Sequence, residues 1–254
     1  MKISIVTVSF NQRDFLRDAL ESVLSQGYPD LEYIVVDPGS TDGSRELIES
    51  YSARIAHMVF EQDRGAADGL RKGFALASGD ILGFLNSDDL LEPGSLQRVA
   101  DTFRDHPECD IVMGNGNVVD GEGRPVRHVT SRDFTVNRYF YGGTQFLQQS
   151  TFFRREAYLN SPGLNPQNRT CWDGELFVNM LHRGANIRYL NVDLSRFRIH
   201  SQSISGSGRL SERYLEDKRR VFQEIRGREW RATDSLLRLL YKGEAALRRV
   251  GIVR

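Results

Sequence analysis

Two carboxylates stand side by side at the end of an apolar run, in Leu85-Asn86-Ser87-Asp88-Asp89. Adjacent acids repel, and holding both ionised is costly unless a positive charge sits between them. A divalent cation with oxygen ligands, Mg2+ or Mn2+, would relieve that repulsion while also carrying a substrate diphosphate. Taken alone, the pair is more simply read as a cap on the helix that follows. Company changes the balance. Ser9 with Asn11, Asp37, and Asp63 with Arg64 also follow apolar runs, so four separate points along the chain carry groups able to hold a phosphate-bearing ligand or a cation.

Those groups need a scaffold that gathers them. Residues 2–9 are apolar and β-branched, as expected of a strand buried on both faces. Phe15, Leu16, Ala19, Leu20, Val23 and Leu24 recur with helical spacing, and Gly27 ends that helix. The alternation continues with strands over 31–37, 55–61 and 81–85 and helices over 44–52 and 66–77. Such alternation with short loops implies right-handed crossovers and a mainly parallel sheet. The strand exits then lie along one sheet edge, where open α/β sheets bind ligands. After a helix over 96–103 the pattern loosens. A hairpin is expected from 110–119 and 124–130 around Asp120-Gly121-Glu122-Gly123, then an aromatic, Gly-rich loop over 139–143, a helix over 176–182 and a short strand over 187–191. Residues 201–208, rich in Ser and Gly, read as a loop folding over a ligand or as plain linker, and the chain is helical from 210 onward.

With 254 residues, 39% hydrophobic and 27% charged, the chain suits one α/β domain with an appendage or two small domains. Cys109 and Cys171 are far apart and lack metal-ligand spacing, which suggests a reducing compartment and small buried side chains. No secretory leader is evident in the first residues, and no run approaches the ~20 apolar residues of a membrane span. The expected location is therefore the cytoplasm. The formal net charge of zero conceals an asymmetry: residues 209–254 hold 13 Lys and Arg against 7 Asp and Glu, leaving 21 against 27 in residues 1–208. The body is acidic and the tail basic, and an acidic body gives little support to nucleic-acid binding.

Taken in order, Val8-Ser9-Phe10-Asn11, the loop Asp37-Pro38-Gly39-Ser40-Thr41-Asp42-Gly43-Ser44, the segment from Asp63 to Gly73, and the turn Asn86–Asp89 resemble the motifs of the family-2 glycosyltransferases with the GT-A fold. The resemblance covers roughly residues 1–200. It implies an α/β architecture: a mainly parallel central sheet flanked by helices, with a small antiparallel extension and C-terminal helices. Residues 1–208 would form the catalytic domain, with a nucleotide-binding half over 1–105 and an acceptor-side half over 106–208, and residues 209–254 a basic helical extension. It implies an inverting enzyme that moves a sugar from a nucleotide-diphosphate donor to an acceptor hydroxyl, with Mn2+ or Mg2+ as cofactor, in bacterial polysaccharide or glycolipid synthesis. The acceptor would be a saccharide or a lipid-linked saccharide.

Residue by residue, the resemblance assigns Val8, Ser9, Asn11 and Asp37 to the base pocket, with Asp37 accepting a hydrogen bond from the nucleobase. Arg64 would approach the diphosphate, and Asp68 would touch the donor sugar or hold Arg64. Asn86 and Ser87 would join the donor site, Asp88 would hold the ribose and reach the metal, and Asp89 would bind the metal. Pro38 and Asn86 depart from the family pattern, so metal binding leans on Asp88 and Asp89. Thr170-Cys171-Trp172-Asp173-Gly174-Glu175-Leu176 resembles the family's acidic helix start, with Asp173 as the base and Glu175 as the following acid. Asp173 also suits a helix N-cap, and capping is the simpler role for Asp42, Gly43 and Ser44. Arg196-Phe197-Arg198-Ile199-His200 resembles a segment in which His200 completes the metal shell or meets the departing diphosphate; a structural histidine is the alternative. Gln148-Gln149-Ser150-Thr151-Phe152-Phe153 resembles the acceptor-side segment.

The tail closes the reading. Leu236, Leu237, Leu239, Leu240, Leu247 and Val250 share one side of a helix, with Arg238, Lys242 and Arg249 opposite. Residues 235–254 can lie on the inner face of an anionic membrane, pack on the core, or pair in a homodimer, and Glu244 intrudes on the apolar side. Two other classes compete. A sugar nucleotidyltransferase would want a Gly-rich phosphate loop, and residues 7–13 hold no glycine. A catalytically degenerate sugar-nucleotide binder draws on Asn86. The glycine patterns of P-loop ATPases and dinucleotide oxidoreductases are absent.

Overall fold

The computed structural model describes residues 1–201, Ser203 and residues 211–249. In chain order these form β1 (Ile3–Val8), α1 (Arg13–Leu24), β2 (Leu31–Val36), α2 (Ser44–Ser50), β3 (His57–Val59), α3 (Ala66–Leu76), β4 (Ile81–Asn86), β5 (Leu90–Leu91), α4 (Ser95–Asp105), β6 (Ile111–Val119), β7 (Pro125–Val129), α5 (Val136–Tyr141), β8 (Thr151–Arg154), α6 (Arg155–Leu159), α7 (Trp172–His182), β9 (Ile187–Arg198), α8 (Ser211–Arg226) and α9 (Ala232–Arg249). Expectations for 204–208 and for Val250 fall outside the described residues.

One nine-stranded sheet runs through both halves of the chain in the order β3-β2-β1-β4-β8-β6-β9-β5, with β7 beside β6. β3, β2, β1 and β4 are mutually parallel. Their ends are level, because Val8 pairs with both Val36 and Asn86, and Val36 pairs with Val59. Past the strands the ladder continues one step. The N–H groups of Ser9, Asp37 and Ser87 donate to the carbonyls of Val36, Val59 and Val8. The chain leaves β1 toward β2 and later returns to β1's other side as β4, which makes this a switch point where a crevice opens. β8 runs antiparallel to β4 and β6, while β9 runs parallel to β6.

Strand pleating divides the core into two layers. From β1, Ile3 and Ile5 face α1, α2 and α4 through Leu16, Leu20, Ile48, Leu96 and Val99. Val6 faces the other layer, where Leu70 and Phe74 of α3 join Phe177 of α7 and Phe222 of α8. The expected C-terminal extension thus contributes Val221, Phe222 and Ile225 to the same core as the sheet.

Several elements differ from the sequence expectation for physical reasons. The third strand shrinks to three residues at the sheet edge, since it has a partner only in β2. Residues 139–143 are mostly helix: the Thr135 hydroxyl accepts from the Arg138 N–H to start α5, and Gly142 and Gly143, at φ 115° and 90°, end it. The strand expected over 187–191 runs on to Arg198, because β6 pairs with it, across two register shifts, as far as Arg198. β8, absent from the sequence reading, is a central strand.

At the end of β1 and β2 opposite the crevice, Glu32 is almost wholly buried. Its carboxylate accepts from Lys2 Nζ (2.6 Å), the Ser4 hydroxyl (2.5 Å), and the Ser78 hydroxyl and N–H (both 2.7 Å). Burial pushes its pKa up, but these donors outweigh it and hold the group at about 2. A depressed carboxylate contributes stability above its unfolded pKa and loses it as pH falls. Glu32→Gln is therefore expected to cost roughly 3 kcal/mol at pH 7, with the gap from wild type closing between about pH 4 and pH 2. Urea unfolding across that range checks it; a gap that does not change with pH would contradict the assignment.

Candidate active site

A cavity of about 1240 Å3 opens at the level strand ends, lined among others by Ser9, Asn11, Asp63, Arg64, Asp88 and Asp173. This exceeds the ~300–1,000 Å3 of most small-molecule sites, so a nucleotide-sized ligand would leave room for a second group. Val8, Asn86 and Ser87 also line it, as do Pro38, Gly39, Gln148, Gln149 and Trp172. The Ser9 hydroxyl is buried and has no hydrogen-bond partner among the described residues. Asn11 adopts the left-handed region at φ 51°, which asparagine tolerates, and its Oδ1 accepts from the Thr41 N–H at 2.9 Å.

Asp37 is fully buried and does not line the cavity. Its oxygens accept from the N–H groups of Gly39 and Ser40 and from the Ser40 hydroxyl. It thereby shapes the loop whose Pro38 and Gly39 do face the cavity. Asp37, expected to meet a nucleobase, is thus engaged by its own loop. Asp42 accepts from the N–H groups of Arg13 and Ser44, fastening the starts of α1 and α2, which is a capping role. Asp68, also buried, accepts from the Arg64 N–H at 3.1 Å and pairs with the Arg64 and Arg71 guanidinium groups. Of its two expected roles the geometry supplies the second, holding Arg64.

The two adjacent carboxylates of the β4 turn have opposite fates. Asp89 is fully buried, with Oδ1 accepting from the Arg198 N–H (2.9 Å) and Oδ2 from the side-chain amides of Gln149 (2.7 Å) and Asn86 (3.1 Å). Burial, reinforced by the neighbouring Asp88 charge, pushes its pKa well above the usual carboxylate range. Both oxygens of Asp89, expected to bind a metal, are engaged by these protein donors. Asp88 faces the cavity, and its Oδ2 lies 3.0 Å from His200 Nε2. The His200 ring packs on Phe15 with centroids 4.5 Å apart, and the Arg198 guanidinium lies over the same Phe15, which fixes the imidazole beside Asp88. Among the described residues no group of three or more His, Cys, Asp or Glu is placed to hold a metal.

The acids of α7 also part company. Residues two apart on a helix are about 200° apart, so Asp173 and Glu175 face opposite ways. Asp173 faces the cavity, and burial raises its pKa against one hydrogen bond from the Gly174 N–H. Glu175 is buried behind the cavity in a two-pronged ion pair with Arg220 of α8 (2.8 and 2.7 Å) and also accepts from Asn168. Expected from the sequence as the acid following the base, Glu175 fastens α7 to α8.

Arg169 was not anticipated from the sequence. It lines the cavity, and its guanidinium lies so close over Gly65 that a Cβ there would sit 2.3 Å from Nη1. Asp217 of α8 holds its loop, accepting from the Arg169 N–H and the Thr170 hydroxyl. Nothing local marks this arginine, because the partner that places it is 48 residues away. Arg64 and Arg169 thus line the same cavity as the acids Asp88 and Asp173.

The model for "Glycosyl transferase family 2" matches residues 4–160. An uncharacterized glycosyltransferase of Nostoc sp. strain PCC 7120 is 28% identical over 217 residues, which covers 79% of this chain and 65% of that protein. The O-antigen biosynthesis protein RfbC of Myxococcus xanthus is 35% identical over 212 residues, 81% of this chain but 16% of its own length. The chain therefore spans less than two thirds of either relative. Among solved structures, the mannosyltransferase PcManGT from Pyrobaculum calidifontis, in complex with GDP-Man and Mn2+, is similar at TM-score 0.67 and 18% identity, covering 97% of this chain and 69% of that one. The fold is thus the GT-A fold expected from the sequence.

The split between the α7 acids has a direct consequence for stability. Removing the Glu175 charge, as in Glu175→Gln, is expected to cost about 2 kcal/mol through its charged hydrogen bonds. Asp173, whose raised pKa means that its ionised form is disfavoured in the fold, should tolerate Asp173→Asn at pH 7 with no loss or a small gain. Thermal melts of the two variants check this, and the reverse order would show that the roles are exchanged.

Proposed function

The chain belongs to glycosyl transferase family 2, and on that premise we propose that it is an inverting, metal-dependent transferase moving a sugar from a nucleotide-diphosphate donor to an acceptor hydroxyl. The observation that carries this reading is Asp173: a carboxylate lifted by burial, in one cavity with Arg64, Arg169 and Asp88. A sugar hydroxyl is a weak nucleophile and needs a base. Asp173 takes its proton as the oxygen attacks the anomeric carbon. The bond from that carbon to the diphosphate oxygen breaks, and its electron pair leaves with the diphosphate. Attack opposite the leaving group inverts the anomeric centre. Arg64 and Arg169 meet the negative charge that grows on the diphosphate, a task suited to guanidinium. Val8, Ser9, Asn11, Asn86 and Ser87 line the nucleoside end.

The residues fit a divalent cation through Asp88, which lines the cavity, and His200, whose imidazole Nε2 lies 3.0 Å from the Asp88 carboxylate. That mixed donor pair suits Mn2+ and tolerates Mg2+ less well. When bound, the cation would neutralise diphosphate charge. The Pyrobaculum neighbour's GDP-Man and Mn2+ support a donor and cofactor of these classes. RfbC's name supports a saccharide or lipid-linked saccharide acceptor in cell-surface polysaccharide or glycolipid synthesis. With that acceptor goes a cytoplasmic site, with residues 235–254 toward the inner face of the membrane.

Release of nucleotide diphosphate from UDP-, GDP- and dTDP-sugars, with and without Mn2+, tests the reaction class. Metal-dependent release from at least one donor is expected; none from any would favour a binding protein. Asp173→Asn should keep donor affinity near wild type while transfer falls by roughly 10²–10⁴. In the parent, transfer should rise with pH through a pKa above the ordinary aspartate range, since the base must be ionised. Full transfer by the variant would remove Asp173 from the mechanism.

A further inference from the structure

α9 meets the body with its polar face. Asp234, fully buried, pairs with Arg228 (2.6 and 2.8 Å) and accepts from the Tyr141 hydroxyl (2.7 Å). Tyr241 packs on Tyr141 with ring centroids 5.6 Å apart. Glu244 pairs with Arg138 and Arg248, each at 2.8 Å, and Arg248 also pairs with Asp133. Both carboxylates of the helix are therefore spent on its inner side, Glu244 among them despite its place in the sequence.

The leucines lie elsewhere. Leu236, Leu239, Leu240 and Leu247 are 59%, 68%, 60% and 43% exposed. At about 100° per residue they form one stripe together with Gly243 and Ala246. Arg238 and Lys242, both exposed, run along one flank of the stripe. Single exposed leucines are ordinary, but a continuous apolar stripe marks a contact surface.

We propose that this face of α9 docks on an anionic lipid surface, lying in the interface plane with the leucines toward the acyl chains and Arg238 and Lys242 among the headgroup phosphates. Charge complementarity selects that occupant. The outward surface offers leucines and cations, while its acids are neutralised inward, and a second copy of the same face would bring those cations no carboxylate. The contact is with the surface of a bilayer, since no helix among the described residues is long and apolar enough to cross one. α9 rests on α5, and Tyr139 of α5 packs against Gly174, next to Asp173. The docked helix thus stands one short helix away from the candidate base. This inference deepens the membrane side of the proposed function and is independent of the chemistry.

Sedimentation of the full chain with vesicles of phosphatidylcholine, alone or mixed with phosphatidylglycerol, tests it. Partition onto the anionic vesicles should exceed that onto neutral ones by about tenfold at low salt and weaken as salt rises. The triple variant Leu239→Gln, Leu240→Gln and Leu247→Gln should lose about tenfold or more of that binding. Because these side chains are exposed, an unchanged melting curve is expected to show the variant folded. Arg238→Gln with Lys242→Gln should lose the preference for anionic over neutral vesicles. Equal sedimentation with and without the leucines, or none at all, overturns the proposal. So does light scattering that finds a dimer in the parent, a monomer in the leucine variant, and no vesicle binding by either. Nucleotide release in solution should match the parent in both variants, so a failed docking surface and a failed transferase reading give separate results.

Discussion

One buried carboxylate ties the cavity edge of the sheet together. Asp89 joins the end of β4, the turn before β8 and the end of β9 through hydrogen bonds from Asn86, Gln149 and Arg198. Those three segments are far apart in the chain, and each supplies cavity residues: Asn86 to Asp88, Gln148 and Gln149, and Phe197. A buried, nearly dry acid is expensive, and its pKa is driven up accordingly. Three donors offset that cost only while all three segments stay in place, so the acid enforces their arrangement. Asp88, one residue before it, is left to face the ligand space with His200 beside it. Adjacent acids that look like a pair therefore part, one held inside the protein and one open to the cavity.

The same division recurs at α7. Asp173 and Glu175 lie two residues apart on a helix, so one must turn toward the cavity and the other away from it. Glu175 binds Arg220, while Asp217, on the same α8, holds the loop carrying Arg169. α8 is thus more than a cover for the aromatic core of Phe140, Phe222 and Trp230. It holds the helix of the candidate base through Glu175 and places Arg169 in the same cavity. Charges that hold the frame are buried and matched, whereas Arg64, Arg169, Asp88 and Asp173 face open space.

The C-terminal helices show how ion pairs decide orientation. An apolar stripe would ordinarily turn toward a core, yet in α9 the aromatic and ionic partners on α5 and Arg228 claim the opposite side. Buried, hydrogen-bonded pairs such as Asp234 with Arg228 depend on their geometry, and moving the helix would strand a carboxylate. The leucines are left outside as a consequence of that fit.

Much of this molecule is legible in its linear order. Apolar runs that end in Ser9, Asp37 and Asn86 require a parallel sheet with polar exits, because local periodicity sets element type and short crossovers set handedness. The motifs from Val8 to Asp89 and around Asp173 identify the family without a structure. What the linear order does not contain is which acid faces which way. Asp37 and Asp89 differ from Asp88 only in how many donors surround them, and those donors come from loops and strands brought near by folding. Arg169 enters the site through Asp217, β9 outruns its own apolar pattern because β6 pairs with it as far as Arg198, and Glu244 turns inward because Arg138 waits there. Residue type and spacing determine which groups are present; burial and long-range partners, which exist only once the chain has closed on itself, decide what each of them is free to do.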